Sequence, residues 1–302
     1  MTSSSPRMRH DTGTGTLLVD IIGDVAVVTF NNPARHNALS GEMRGALPGV
    51  LGALQADSAV HVVVLTGAGD KAFISGADIS EFAQRRTASA ARAEYDQGWA
   101  ALNRSWGRLE KPVIAMIRGF CLGAGLLIAL QADIRVASAG SQFGIPAARL
   151  GLAPGFAGVD TLVNLVGPAW ASEVLFTARR FPAAEALRMG LVNRVVPAMD
   201  LLDEAMAVAR SIARNAPLTV AASKAAIRAA GQPPDRRDMA RVEAMIEACF
   251  ASEDYREGQR AFAEKRPPHF TGRCPDPAAV RSGADPIRPP SDPAAGSGQR
   301  AG

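Results

Sequence analysis

The sequence predicts an α/β protein whose parallel-rich core is followed by a helical appendage. Strand-like and helix-like stretches alternate over the first two-thirds of the chain, whereas helix-like stretches alone fill the last third. A third observation is the stretch 111–151, KPVIAMIRGFCLGAGLLIALQADIRVASAGSQFGIPAARLG, which sets a strand, a glycine-dense turn and an apolar helix in succession. The order of elements divides the chain into a disordered tail over 1–15, a core over 16–198, a helical appendage over 199–272 and a second disordered tail over 273–302.

In chain order, Leu17–Ile22 and Val25–Phe30 flank Gly23-Asp24, which reads as a hairpin turn between two strands. Ser40 is placed as an N-cap, with Met43 at N3, for a helix running to about Gln55, with Pro48 as a kink candidate. Val60–Thr66 is a compact β-branched strand. The stretch 67–78, GAGDKAFISGAD, is a second glycine-punctuated passage, and 79–108 is helix or loop with a mobile segment near 84–91. Val113–Ile117 is a strand, and Leu126 to about Gln131 a helix. Gly151–Gly158 is a glycine loop leading into Val159–Val166. Helices follow at 168–176, 182–189, 200–215, 217–230, 234–250 and 252–265, with a short strand at 192–196.

Composition narrows the function classes. Of 302 residues, 47% are hydrophobic, enough for one large core or two unequal units. The charge of +4 arises from 33 cations against 29 anions, scattered rather than clustered, which argues against nucleic-acid binding. Cys121, Cys249 and Cys274 are too few and too dispersed for a disulfide framework or zinc site, and the four histidines lack ligand spacing. The first residues hold no apolar signal region, and no window reaches the roughly 18 apolar residues that span a bilayer. A cytoplasmic protein with no membrane partner is expected.

The turn at 119–125 carries the first chemical signal. Gly119, Gly123 and Gly125 permit backbone paths and approaches that a side chain blocks. A strand feeding a helix through such a turn leaves the first helical N–H groups unpaired and aimed at one point, which suits a developing negative charge.

The blocks NNPARHNALS, VVVLTGAGDKAFISGADISEF, KPVIAMIRGFCLGAGLLIALQADIRVAS, SQFGIPAARLGLAPGFAGVDTLVNLVG, EALRMGLVNRVVP and AFAEKRPPHF occur in this order. Over roughly residues 15–272 the chain resembles the crotonase (enoyl-CoA hydratase/isomerase) superfamily. The resemblance implies a spiral of ββα units, a C-terminal helical trimerisation domain and a homotrimer or hexamer. It also implies an acyl-CoA thioester substrate, with coenzyme A as part of the substrate and no separate cofactor. Two backbone N–H groups, here those of Ala77 and Ala124, are implied to form an oxyanion hole for the thioester oxygen. Gly76, Asp78, Ile79 and Ser80 beside the first donor, and Gly123 beside the second, are implied to contact substrate. Arg35 is a candidate for the coenzyme A phosphates, since its guanidinium presents a fork of donors. Lys265 and Phe270 are candidates to reach coenzyme A from the terminal helix, across subunits or within one.

The chain departs from the family's hydratases at their two proton-transferring glutamates, whose positions hold Leu127 and Ala147. Neither side chain can move a proton, and each such group is worth roughly 10²–10⁴-fold in rate. The aspartate of the dienoyl isomerases falls near Gly155. Asp78, Glu81, Glu94, Tyr95 and Asp96 are alternative proton handlers, each with an ordinary structural or surface role as the plainer reading. Arg149 could meet a substrate carboxylate or form a salt bridge. His36 reads as a loop residue and Cys121 as a packing residue. Three functions stay open: a hydratase- or isomerase-like enzyme with another proton handler, a decarboxylase or thioester hydrolase, and a non-catalytic acyl-CoA-binding protein.

Overall fold

A computed structural model describes residues 8–10, 12–78 and 89–272. The hairpin expected at the start is present: β2 (Leu17–Ile22) pairs antiparallel with β3 (Val25–Phe30), Leu17 opposite Phe30 and Ile22 opposite Val25. Gly23 makes the turn at φ 61°, a conformation that glycine adopts without a Cβ penalty. Helix α1 (Gly41–Ala56) starts where expected, with the Ser40 hydroxyl accepting from Met43 N at 3.2 Å, and runs through Pro48.

From there the chain repeats one unit, two strands and a helical stretch. β4 (Val62–Gly67) and β5 (Ala72–Ile74) lead to α2 (Ser89–Arg108). β6 (Val113–Ile117) and β7 (Phe120–Leu122) lead to α3 (Ala124–Ala129). β8 (Ile134–Ser138) and β9 (Gln142–Gly144) lead to a 3-10 turn at Pro146–Leu150 and then α4 (Phe156–Thr177). The first strand of each pair joins a seven-stranded sheet and the second a four-stranded sheet. With β1 (Met8–His10), β10 (Phe181–Pro182) and β11 (Arg194–Val196), the orders are β1-β2-β3-β4-β6-β8-β11 and β10-β9-β7-β5. The expected α/β architecture of ββα units is therefore the one formed.

The larger sheet is parallel from β3 to β11, and its central strands β4, β6 and β8 bury both faces. Val63, Leu65, Ala115 and Ile117 face the main core, while Val62, Val64, Ile114 and Met116 face a second cluster. That cluster is closed by Leu201, Ala205, Met206 and Ala209 of α6 (Leu201–Ala213), which follows the short α5 (Ala183–Arg188). The period of two along each strand thus assigns alternate residues to different cores. Three helices complete the described chain: α7 (Pro217–Ala230), α8 (Met239–Ala251) and α9 (Glu253–Ala263).

The last helices are tied to the core by buried polar groups. Arg228 of α7 donates to the carbonyls of Trp106, Gly107 and Leu109, so a cation closes the C-terminal end of α2. Lys224 Nζ meets Asp133 Oδ2 at 2.7 Å and the Lys111 carbonyl at 2.7 Å, and the same carboxylate accepts from Val113 N. Burial pulls the Lys224 amino group down to about 8 against the opposing pull of Asp133.

Three expectations need correction. Residues 1–15 are not wholly a tail, because Met8–His10 forms β1 against β2. The outward N–H and C=O groups of β2 would otherwise form an open sheet edge, and pairing satisfies them. The turn at 119–125 contains a strand, β7, which is three residues long and is held by partners on both sides. The segments expected at 159–166 and 168–176 lie end to end in α4, broken at Gly167 (φ 77°, ψ 164°) ahead of Pro168. The expected mobile segment near 84–91 falls largely, and the tail at 273–302 wholly, outside the described residues.

Candidate functional site

β5 runs parallel to β7, with Ala72 opposite Phe120 and Ile74 opposite Cys121, so both strands release the chain at the same end. The turn after β5 is Ser75-Gly76-Ala77-Asp78, and the turn after β7 is Gly123-Ala124. Gly76 has φ 133° and Gly123 φ 51°. A Cβ on Gly123 would stand 3.9 Å from Gly76 Cα, so the two turns touch. Two other glycines allow this approach. A Cβ on Gly125 would lie 2.1 Å from the Ile74 carbonyl oxygen, and one on Gly119 would lie 2.0 Å from that of Lys71. Helix α3 can sit on β5 only because position 125 carries no side chain.

The first turn is fixed from below. Leu39 N donates to the Gly76 carbonyl at 2.8 Å, and Asp78 N donates to the Leu39 carbonyl at 3.0 Å. These bonds flank Ala77 and leave its own N–H unused. Beneath them the buried Asn37 amide donates to the carbonyls of Ala68 and Ala72 and accepts from Asn32 N. Asn37 holds φ 54°, a conformation that asparagine tolerates better than most residues. In the second turn Gly123 N donates to the Gly144 carbonyl at 2.8 Å, and Leu127 N donates to the Gly123 carbonyl at 3.1 Å. Ala124 is the first residue of α3, so its N–H has no acceptor within the helix. Among the described residues, neither the Ala77 nor the Ala124 N–H has an acceptor. At the other end of α3 the buried Arg135 guanidinium donates to the carbonyls of Ala129 and Ala132, opposing the helix dipole's negative end.

Both donors open into a cavity of about 890 Å³, a volume suited to a small-molecule ligand. One wall is the face of α3 bearing Ala124, Leu127 and Ile128, continued by Gln131, at helical spacing i, i+3, i+4 and i+7. A second wall is the face of α2 from Tyr95 to Trp106, and a third is the stretch from Ile145 to Gly158. The ionisable side chains among the described lining residues are Tyr95 and Asp96. The Arg44 guanidinium sits 4.3 Å above the Tyr95 ring, and the Trp99 ring meets it edge-on at 6.3 Å.

The structure brings together Gly76, Ala77, Gly123, Ala124, Leu127 and Ala147, all of which line the cavity. Leu127 lies against Gly158, where an added Cβ would come within 2.7 Å of the leucine's Cδ2. Asp78 stands beside the cavity and pairs with Arg35, Nη1 to Oδ2 at 2.9 Å, with Arg35 57% exposed and Asp78 10%. Ile79, Ser80 and Glu81 lie outside the described residues. Lys265 and Phe270 do not line the cavity in this chain. They belong to a strap that α9 holds by carboxylates: Glu257 takes Arg266 and His269 N, and Asp254 takes Thr271 N and Gly272 N. The Arg266 guanidinium holds Glu257 down to about 2. Arg149 is exposed, with no partner among the described residues, and does not line the cavity. His36 is exposed and packs against Phe120 at 6.0 Å. Cys121 is fully buried, and burial pushes its thiol well up, which fits a packing role. Sequence reasoning missed Trp99, Asn103 and Trp106. Their i, i+4, i+7 spacing on one helix was an available signal.

Among the described residues, no group of three or more His, Cys, Asp or Glu could hold a metal, and no helix is long and apolar enough to cross a membrane. Residues 20–273 match the enoyl-CoA hydratase/isomerase family. The chain belongs to that family. Its relatives include a short-chain-enoyl-CoA hydratase of Clostridium acetobutylicum, 42% identical over 244 residues, covering 81% of this chain and 93% of the relative. A crotonyl-CoA hydratase of Syntrophomonas wolfei is 39% identical over 249 residues, covering 82% and 95%. Among solved structures, an enoyl-CoA hydratase/carnithine racemase from Magnetospirillum magneticum superposes with a TM-score of 0.81 at 34% identity, over 88% of this chain and 97% of that one. For this enoyl-CoA hydratase/isomerase family member, the paired turns after β5 and β7 fall inside the matched region.

Proposed function

We propose that this chain is an enzyme that binds an acyl-CoA thioester and stabilises the enolate formed from it. The observation that carries the reading is the pair of acceptorless N–H groups, Ala77 and Ala124, on touching turns that open into one cavity. Fixed main-chain donors of this kind act where charge develops and need no reorganisation as it does so. The hydratase relatives support an unsaturated acyl-CoA as substrate.

Water addition across a double bond needs a group to activate water and a group to deliver a proton. The positions that hold glutamates in family hydratases carry Leu127 and Ala147 here, so the proton handler lies elsewhere. Tyr95 and Asp96 are the described ionisable groups that line the cavity. The same absence favours a second reading, decarboxylation or thioester hydrolysis. Loss of carbon dioxide generates an enolate without a base, so the oxyanion hole alone would serve the first of these. A non-catalytic acyl-CoA-binding role is the third reading.

The test is a panel of crotonyl-CoA, malonyl-type and saturated acyl-CoA esters, followed by mass spectrometry alongside direct binding. Turnover of crotonyl-CoA supports the hydratase reading, and turnover of a malonyl-type or saturated ester alone supports the second. Binding of every ester with turnover of none leaves only the binding role. We also propose association into a homotrimer or hexamer through the terminal helices, whose Ile227, Phe250 and Phe262 are 73%, 63% and 88% exposed. Sedimentation should give three or six chains; a monomer at micromolar concentration would refute it.

A further inference from the structure

The lining of the cavity divides by depth. Leu150 and Phe156 on its rim are 58% and 81% exposed, whereas Trp106, Ala124, Ile128 and Ile145 are buried and form its floor. All four floor residues belong to the main core cluster, and Trp106, 2% exposed, is the largest of them. Ala124 carries one of the two unused N–H groups, and Ile128 lies one helical turn further along the same face of α3. The floor thus begins at the oxyanion hole and includes the indole.

The Trp106 ring is not held by its own polar atom, because the enclosed Nε1 has no hydrogen-bond partner among the described residues. What the ring supplies to the floor is bulk. Its main chain is held instead. Arg228 of α7 donates to the carbonyls of Trp106 at 3.1 Å, Gly107 at 3.3 Å and Leu109 at 3.2 Å. These carbonyls lie in and just past the last turn of α2, where helical N–H donors run out. One turn earlier on α7, Lys224 bonds Asp133, two residues past Gln131 of the α3 wall. One helix of the C-terminal region therefore grips both helical walls of the cavity, α2 at Trp106 itself and the other wall just beyond Gln131.

We infer that Trp106 sets the longest acyl chain the site accepts, and that Arg228 is the positioning residue that keeps it in place. This deepens the proposed function and rests on its acyl-CoA site. With the thioester oxygen on the Ala77 and Ala124 N–H groups, the acyl tail gains by leaving water, and the buried floor is where it does so. Each methylene laid on the floor should tighten binding about fourfold. The gain stops where the tail meets the indole, because a packed core does not take up added carbons without strain.

The experiment measures direct binding, so that it does not depend on turnover. Saturated acyl-CoA esters from butanoyl to hexadecanoyl, in steps of two carbons, are titrated against the full chain. Affinity should climb about tenfold per step and then level off to less than threefold per step beyond one length. Trp106→Ala should move that break to longer chains by at least two carbons. Emptying a core position costs stability, so Trp106→Leu is a second variant, and it should move the break the same way. Arg228→Met should also move it to longer chains, while Arg228→Lys, which keeps a cationic donor, should hold it closer to wild type. A climb that continues through hexadecanoyl-CoA in the wild type, or a break unmoved in the folded Trp106 variants, would overturn the inference. An unmoved break in Arg228→Met, with binding weakened equally at every length, would mark Arg228 as structural and overturn its assignment. Those results would leave the acyl-CoA site standing. Binding of no CoA ester at all would sink the proposed function as well.

Discussion

Two walls of the cavity solve different problems with different parts of the chain. The turns after β5 and β7 present main-chain N–H groups, and what fixes them is the absence of side chains at Gly119 and Gly125, the bonds exchanged with Leu39 and the bond that Gly123 N donates to the Gly144 carbonyl. Two further lining positions, Leu127 on α3 and Ala147 in the stretch after β9, contribute apolar side chains. A backbone N–H is present whatever side chain its residue carries, proline excepted. A side chain at the rim of a cavity can be exchanged while the fold stands. The first wall therefore depends on the fold itself, whereas the second, apolar at Leu127 and Ala147, depends only on which side chains stand there.

The largest effect should come from a side chain placed where the first wall forbids one. Gly119→Ala adds a Cβ 2.0 Å from the Lys71 carbonyl oxygen at φ 66°. Overpacking of about 1–3 kcal/mol and backbone strain of about 1–3 kcal/mol together predict a loss of about 2–6 kcal/mol. Urea denaturation should show it as a lowered midpoint, and a midpoint within error of wild type would mean that the turn yields easily.

A subtler change removes one donor and keeps the turn. Ala124 is the first residue of α3, where proline is tolerated because that N–H bonds nothing in the helix. Ala124→Pro should leave circular dichroism unchanged and lower kcat about 10²–10³-fold, or about 2.7–4 kcal/mol of barrier. A fall of less than tenfold in a folded variant would place the oxyanion elsewhere. The second wall is tested by giving it carboxylates. Leu127→Glu combined with Ala147→Glu should raise hydration of crotonyl-CoA at least tenfold, about 1.4 kcal/mol. With folding verified, no gain would show that the apolar wall is shaped for different chemistry. Leu127 already presses on Gly158, so the longer side chain must turn into the cavity.

How much was legible in the sequence follows the same division. Elements defined by local signals were read with their true limits: the hairpin around Gly23-Asp24, the Ser40 cap, Val113–Ile117 and Pro217–Ala230. The strands of the smaller sheet were not, because Ala72–Ile74, Phe120–Leu122 and Gln142–Gly144 are three residues each. Such runs are too short for periodicity to declare itself, and they exist because neighbours pair with them. The close approach of the turns after β5 and β7 was legible because glycine marks where backbones meet, whereas the pairing of Ala77 with Ala124 was implied by the resemblance. The wall formed by Trp99, Asn103 and Trp106 was missed although their spacing marks one helix face, because α2 is largely polar and which face it turns inward is settled by packing against α1 and the core.

The ion pair between Arg35 and Asp78 has a consequence for how the two donors respond to solvent. Asp78 follows Ala77 directly, and its partner Arg35 is mostly in water. Exposed charge pairs weaken as dissolved ions shorten the Debye length, from about 10 Å at 0.1 M to about 3 Å at 1 M. The second donor, Ala124, is anchored by main-chain bonds and by the close seat of α3 on β5, which ionic strength leaves alone. The Ala77 turn thus carries a salt-sensitive restraint in addition to its main-chain bonds with Leu39, which ionic strength leaves alone.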